Sequence, residues 1–206
     1  MIFHRFTLGE MVANCYVAAD ENTKNAVLFD APTNPEKILG YLDENGLTLK
    51  YILLTHAHFD HIMAVDGIKK ATGAKLVLHR DEVKYLNDGV LNLAVTVPVE
   101  IPKLKEDIVV SDGDEIVMDS FDIKVIHTPG HTEGSACYLM GDILISGDTL
   151  FNRSVGRADF PLGNFENEIK SIKEKLMPLD DGIKVFPGHG FSTDIGHERK
   201  ENPYLI

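Results

Sequence analysis

Cysteine, basic residues and long apolar runs are all scarce in this chain of 206 residues. Cys15 and Cys137 are the only cysteines. Each sits in an apolar, strand-like run, Ala13-Asn14-Cys15-Tyr16-Val17 and Ser135-Ala136-Cys137-Tyr138-Leu139, which excludes a disulfide framework and indicates buried free thiols in a reducing cytosol. Lys and Arg number 20 against 32 Asp and Glu, a net charge of −12. That balance excludes nucleic acid and anionic membrane as partners, because both need a basic face. No run approaches the ~20 apolar residues of a membrane span. The first residues, Met1-Ile2-Phe3-His4-Arg5-Phe6, lack the basic and apolar regions of a secretory leader. Internal repeats, low-complexity tracts and a long linker are missing as well. The expectation is a soluble, cytoplasmic protein forming one domain over residues 1–206, its 44% apolar residues sufficient for a full core.

What the chain has in plenty is a regular alternation of strands and helices. Residues 11–19 and 25–30 read as strands joined by a polar turn. Asn34-Pro35-Glu36 opens a helix, with Asn as the cap and Pro in the first turn. Ile38, Leu39 and Leu42 form its apolar face, and Asn45-Gly46 stops it. A strand over 50–54 precedes a helix running to about Thr72, then a strand over 75–78 and a short helix over 81–86. In 88–106, Leu91, Leu93, Val95, Val97, Val99 and Ile101 alternate, yet Pro98 and Pro102 interrupt pairing. This segment reads equally as an edge strand or surface loop and as an apolar wall over a cleft. Strands follow over 107–110, 115–118, 122–127, 135–140 and 142–146, a helix over 165–177, and a last strand at Val185-Phe186. Strands then helices before residue 90, and strands then a helix after it, predict two sheets packed face to face with helices outside. A cleft then lies where loops of both sheets meet.

One loop concentrates the chemistry. Thr55-His56-Ala57-His58-Phe59-Asp60-His61 follows the apolar run Tyr51-Ile52-Leu53-Leu54 and precedes an amphipathic helix. Three imidazoles and a carboxylate in six residues make a dense set of metal ligands. In extended backbone His56 and His58 point the same way, and the turn into the helix brings Asp60 and His61 back to the same cavity. Three further strands each end at one such residue: Val125-Ile126-His127-Thr128-Pro129-Gly130-His131, Leu144-Ile145-Ser146-Gly147-Asp148, and Val185-Phe186-Pro187-Gly188-His189. Ligand types repeated at strand ends are the pattern of a site built on a rigid scaffold. His4 and His197 read as surface residues and His79 as a strand end. His127 reads as a core histidine or as an orienter of His131, and Asp30 as a cap or as a hydrogen-bond partner of a metal-bound histidine.

These residues resemble the metallo-β-lactamase fold superfamily: His-x-His-x-Asp-His at 56–61, then His131, Asp148 and His189, over nearly the whole chain. The resemblance implies an α+β fold, a four-layer αβ/βα sandwich of two mixed sheets with helices on the outer faces. It places a site for two divalent ions between the sheets, zinc first and iron or manganese as alternatives. His56, His58 and His131 then hold one ion, Asp60, His61 and His189 the second, and Asp148 bridges them. His58, where flavodiiron oxygen reductases have Glu, separates the chain from that branch.

The run Gly147-Asp148-Thr149-Leu150-Phe151, with Val155-Gly156-Arg157-Ala158-Asp159-Phe160, is similar to the glyoxalase II group, the hydroxyacylglutathione hydrolases, especially its short bacterial members. So is the ending Glu201-Asn202-Pro203-Tyr204. Arg157 matches a basic residue that faces the glutathione moiety; as a bare sequence position it reads equally as a surface arginine. Three features depart from the long members. The chain ends 17 residues after His189, where they carry a helical segment with further glutathione contacts. Phe191 replaces a usual Tyr, and Asp159 a common aromatic.

The function implied is hydrolysis of a small-molecule thioester of the S-D-lactoylglutathione kind by a metal-bridged hydroxide. Asp60 is the catalytic candidate, orienting the hydroxide and accepting its proton. The alternatives are a persulfide dioxygenase using one iron, a lactonase or phosphodiesterase on the same site, and a non-enzymatic metal-binding module. The sequence leaves the oligomeric state open.

Overall fold

The computed structural model describes residues 1–98 and 101–206. Six strands form the first sheet: β1 (Ile2–Leu8), β2 (Ala13–Ala19), β3 (Asn25–Phe29), β4 (Thr48–Leu53), β5 (Lys75–His79) and β6 (Ile108–Val110), hydrogen-bonded in that order. Helix α1 (Pro35–Glu44) connects β3 to β4, and α2 (Phe59–Ile62) and α3 (Val65–Thr72) connect β4 to β5. Both crossovers join parallel neighbours. The second sheet uses β7 (Glu115–Val117), β8 (Asp122–His127), β9 (Ala136–Met140), β10 (Ile143–Gly147), β13 (Lys184–Pro187) and β14 (Thr193–Asp194), in the order β14-β13-β10-β9-β8-β7. A small ribbon of β11 (Leu150–Phe151) and β12 (Ser154–Val155) follows β10. Helix α4 (Phe165–Ser171), continued by a π-helical turn to Leu176, lies before β13, and α5 (Ile195–Glu201) after β14.

The period-2 geometry of the strands sorts apolar side chains into layers. Along β2, Cys15, Val17 and Ala19 join the cluster beneath α1 and α3, while Tyr16 and Ala18 face the second sheet. Along β3, Ala26 and Leu28 go one way, and Val27 and Phe29 the other. Strands buried on both faces need continuous apolar runs, which is how β2 and β3 read. In the second sheet Ile123 and Val125 pack between the sheets, and Ile126 packs outward with Ile172, Leu176 and Ile195. The layers are therefore helices, sheet, sheet, helices, as the αβ/βα reading expects. Cys15 and Cys137 are buried free thiols. No helix among the described residues is long and apolar enough to cross a membrane.

Three local expectations change. Asn34 sits at φ 52 and makes no side-chain cap, so α1 starts on Pro35 without an Asn cap. The helix expected to run to Thr72 breaks at Met63-Ala64 into α2 and α3. Residues 88–98 contain turns and a short 3₁₀ helix at Ala94–Thr96, with no strand, so the edge-strand reading fails. Val99 lies outside the described residues.

Candidate metal centre

The loop after β4, the β8–β9 loop, the end of β10 and the end of β13 meet at one edge of the sandwich. Hydrogen bonds between the sheets fix this meeting. Ala136 N–H donates to the Thr55 carbonyl (2.9 Å), and Tyr138 Oη to the Leu54 carbonyl (2.8 Å). Tyr16 Oη donates to the Pro187 carbonyl (2.6 Å), and Asn14 N–H to the Gly188 carbonyl (2.6 Å). A Cβ on Gly188 would overlap Asp148 Oδ1 and stand 2.7 Å from His61 Cε1, so the chain can pass here only as glycine.

All seven expected ligands converge. His131 Nε2 lies 2.9 Å from His58 Nδ1 and 3.3 Å from His56 Nε2. His189 Nε2 lies 3.3 Å from His61 Nε2 and 3.2 Å from Asp60 Oδ2. Asp148 stands between the two groups, Oδ2 at 3.7 Å from His131 Nε2 and 3.6 Å from His189 Nε2, Oδ1 at 3.6 Å from His61 Nε2. The triads His56-His58-His131 and Asp60-His61-His189 each offer donor atoms within 4.8 Å of one another, and so does His56-His61-Asp148, which links them.

The outer ring nitrogens decide what the inner ones can be. His61 Nδ1 meets Asp30 Oδ2 (2.9 Å), His131 Nδ1 the Arg157 carbonyl (2.6 Å) and His189 Nδ1 the Met11 carbonyl (3.1 Å). His56 Nδ1 meets Thr55 Oγ1 (3.1 Å), whose own proton goes to Asp30 Oδ2 (2.8 Å). Each partner is an acceptor, so each outer nitrogen carries a proton, and a ring that is neutral turns a bare Nε2 inward. His58 is reversed: Nδ1 faces in, and its buried Nε2 has no partner among the described residues. Bare nitrogens 3.3 Å apart repel unless a cation lies between them. Asp148 Oδ1 is likewise buried without a partner. Five imidazoles and two carboxylates in this array fit divalent transition metals.

Electrostatics agree with that donor set. Burial, reinforced by neighbouring imidazoles, holds His56 and His58 well below the usual histidine value, so both are neutral lone-pair donors. Burial would raise the Asp60 carboxyl, but His61, His189 and His58 outweigh it and keep Asp60 ionised. Burial pulls His61 down; Asp60, Asp148 and Asp30 more than reverse this and push it up to about 10. The second triad therefore binds positive charge avidly, as a proton or as a metal.

Two supporting carboxyls were invisible in the sequence. Glu82, fully buried, accepts from Ala57 N–H (2.7 Å), Thr132 Oγ1 (2.7 Å) and Gly134 N–H (3.1 Å), clamping the 56–61 loop to the His131 loop. Burial pushes its carboxyl up to about 7. Glu168 accepts from His131 N–H (2.7 Å), and burial pushes it up to about 9. The only sequence cue was an acidic residue inside each apolar-faced helix. Asp30 proves to be the partner of His61. His127 is no orienter of His131: its Nε2 meets the Glu133 carbonyl (2.8 Å) and its ring stacks on His79. His79, Asp81 and His127 form another cluster, but parallel rings do not aim their in-plane lone pairs at one point. Arg157 projects to solvent, paired with Asp159 (2.9 and 2.8 Å) and stacked over Phe160, whose edge meets the His58 and His131 rings. Phe191, two residues past His189 in the chain, is 80% exposed. Val97 and Pro98 line a cavity with Phe59 and Asp60, which favours the wall reading of 88–106.

Known proteins are similar to this chain over most of its length. The Metallo-beta-lactamase superfamily profile matches residues 8–189. The hydroxyacylglutathione hydrolase GloC of Haemophilus influenzae is 34% identical, over 93% of this chain and 92% of its own. The crystal structure of the B3 metallo-beta-lactamase BLEG-1 superposes with a TM-score of 0.94 at 36% identity, covering 100% of both chains. TTHA1623, solved in a di-iron-bound form, gives 0.86 at 33%, covering 98% of this chain and 100% of its own. Proteins of this fold bind divalent metal ions. A match that begins at the end of β1 and closes on His189 makes this chain a member of the metallo-beta-lactamase superfamily, whose members are mostly metal-dependent hydrolases.

Proposed function

We propose that this protein is a thioester hydrolase of the hydroxyacylglutathione hydrolase type, working on a small-molecule substrate in the cytoplasm. The observation that carries the reading is Asp148 standing between two ligand triads, within 3.7 Å of His131 on one side and 3.6 Å of His61 and His189 on the other. The preference for thioesters leans on the likeness to GloC and on the run from Gly147 to Phe160. His56, His58 and His131 would hold one ion, and Asp60, His61 and His189 the other, with zinc proposed and iron or manganese as the alternatives that these donors also suit. Two such ions supply a water of near-neutral pKa and polarisation of the substrate carbonyl.

The chain's own residues do the rest. Asp60, half-buried and anionic, orients the attacking water and takes its proton. Phe160 covers the His58 and His131 rings and keeps bulk water from that side. Arg157 meets a substrate carboxylate by exchanging it for Asp159, a fully exposed and therefore weakly held partner.

The test is thiol release from S-D-lactoylglutathione by protein loaded separately with zinc, iron and manganese. Release is expected, and its dependence on the ion identifies the working metal. No release from protein that holds two ions overturns the thioester reading. Asp148→Ala should lose both ions and turnover together; turnover that survives would contradict a two-metal site.

A further inference from the structure

Beside the Asp60 triad lies a cavity of about 430 Å³ whose chemistry differs from that of the metal centre. It falls within the roughly 300–1,000 Å³ of small-molecule sites. Its walls include Met11, Pro32, Phe59, Met63, Val97 and Pro98, drawn from the β1–β2 turn, the chain before α1, the α2 region and the 88–98 segment, with the polar Thr33 and Asn34 beside Pro32. Among the described residues, Glu10 and Asp60 are the only charged ones lining it, and both are acidic. Asp60 belongs to the cavity wall and to the metal centre at once, so a molecule reacting there has the cavity directly beside its scissile bond.

The turn that roofs the cavity is held in place by the centre itself. The Met11 carbonyl accepts from His189 Nδ1 (3.1 Å), and Ala13 pairs with His189 across the sheets. Val12 sits at φ 56, a left-handed backbone that a β-branched residue adopts only under constraint. Met11, which lines the cavity, stands 53% exposed, and its neighbour Val12 is 56% exposed. An exposed methionine opening onto a cavity walled mainly by apolar side chains marks a ligand that is itself apolar.

Taking the hydrolase reading as its basis, we infer that this cavity receives an uncharged, apolar arm of the substrate, and that it selects substrates by the length of that arm. A glutathione moiety, with its two carboxylates, is a poor occupant of a wall whose charges, among the described residues, are Glu10 and Asp60, both negative. If glutathione is the thiol carrier, its peptide points away toward Arg157 and the acyl chain fills the cavity. If the leaving thiol is itself apolar, that thiol fills it.

Two series measured on metal-loaded protein separate these sources. The first is S-acylglutathiones from acetyl to octanoyl; the second is acetyl thioesters of straight-chain thiols from ethane- to octanethiol. The expected result is that kcat/KM climbs about fourfold per methylene in one series until the cavity is full. A climb in the acyl series assigns the arm to the carbonyl side, and a climb in the thiol series to the leaving group. Met11→Glu should flatten that climb while the protein keeps its metal content, because the exposed side chain changes and the carbonyl that meets His189 does not. Flat or falling series, or a climb that Met11→Glu leaves intact, would overturn the inference. Should neither series turn over, the hydrolase reading falls separately. The cavity is then judged by calorimetric binding of butan-1-ol to octan-1-ol: affinity rising with length in wild type but not in Met11→Glu upholds it, and no rise refutes it.

Discussion

Glu82 has no atom in the metal centre, yet it sets the distance between two of its loops. One oxygen takes the N–H of Ala57, the residue between His56 and His58; the other takes Thr132 and Gly134, just past His131. Removing it strands three buried donors, each costing on the order of 1–3 kcal/mol. Glu82→Ala should therefore destabilise the fold by about 3–5 kcal/mol and weaken metal binding about 10–100-fold, read by urea unfolding and metal titration. Unchanged metal affinity would reduce Glu82 to a structural residue. Arg157 makes the opposite case, because its side chain touches no ligand. Arg157→Ala should raise KM for a carboxylate-bearing thioester more than it lowers kcat, and equal KM values would remove its substrate role. The seven ligands were legible because their spacing is local or tied to strand ends. Glu82 and Glu168 were not, because their partners lie 25–52 and 37 residues away.

At the scale of elements, the ends of β5 and β8 meet across the sandwich through two histidines. The His79 and His127 rings stack at 3.8 Å with 12° between planes. Burial, then the neighbouring His127, lowers His79 to about 4. The folded protein thus prefers a neutral His79 more than the unfolded chain does. The stability this gives is complete above the unfolded value near 6.5 and is lost as pH falls through about 4, up to about 3 kcal/mol. His79→Phe keeps a ring in the stack but cannot titrate. Its stability should fall less than that of wild type between pH 7 and pH 4.5, measured by urea unfolding of chelator-treated protein. Parallel losses in both would show that the stack does not titrate with folding. The long strands of this joint were readable from apolar runs bounded by turns. β1 was not, because His4, Arg5 and Thr7 blur its alternation, and β11, β12 and β14 span two residues each, too short to carry a period. The Asn34 cap failed for a different reason: an asparagine before proline suits a cap by type, but here its backbone is left-handed.

For the molecule as a whole, the two halves contribute unequally to one centre. The first sheet supplies His56, His58, Asp60 and His61 on a single loop, and the second supplies His131, Asp148 and His189 from three strand ends. Each triad therefore takes donors from both sheets, and any ion held there cross-links the sandwich at its open edge. Its binding energy is then also folding energy, since the unfolded chain cannot present such an array. Metal at a hundred times its Kd should stabilise the fold by about 2.7 kcal/mol per site, raising Tm by roughly 5–10 °C for a chain of this size. A chelator should remove the gain and fresh metal restore it. Asp148→Ala, which breaks the link between the triads, should lose most of the rise, whereas Met11→Glu should keep it, because that side chain touches the substrate cavity and not the cross-link. A metal-dependent Tm that survives in Asp148→Ala would mean that one triad alone holds the sheets together, and the two-ion centre would reduce to a single ion beside a spare set of ligands.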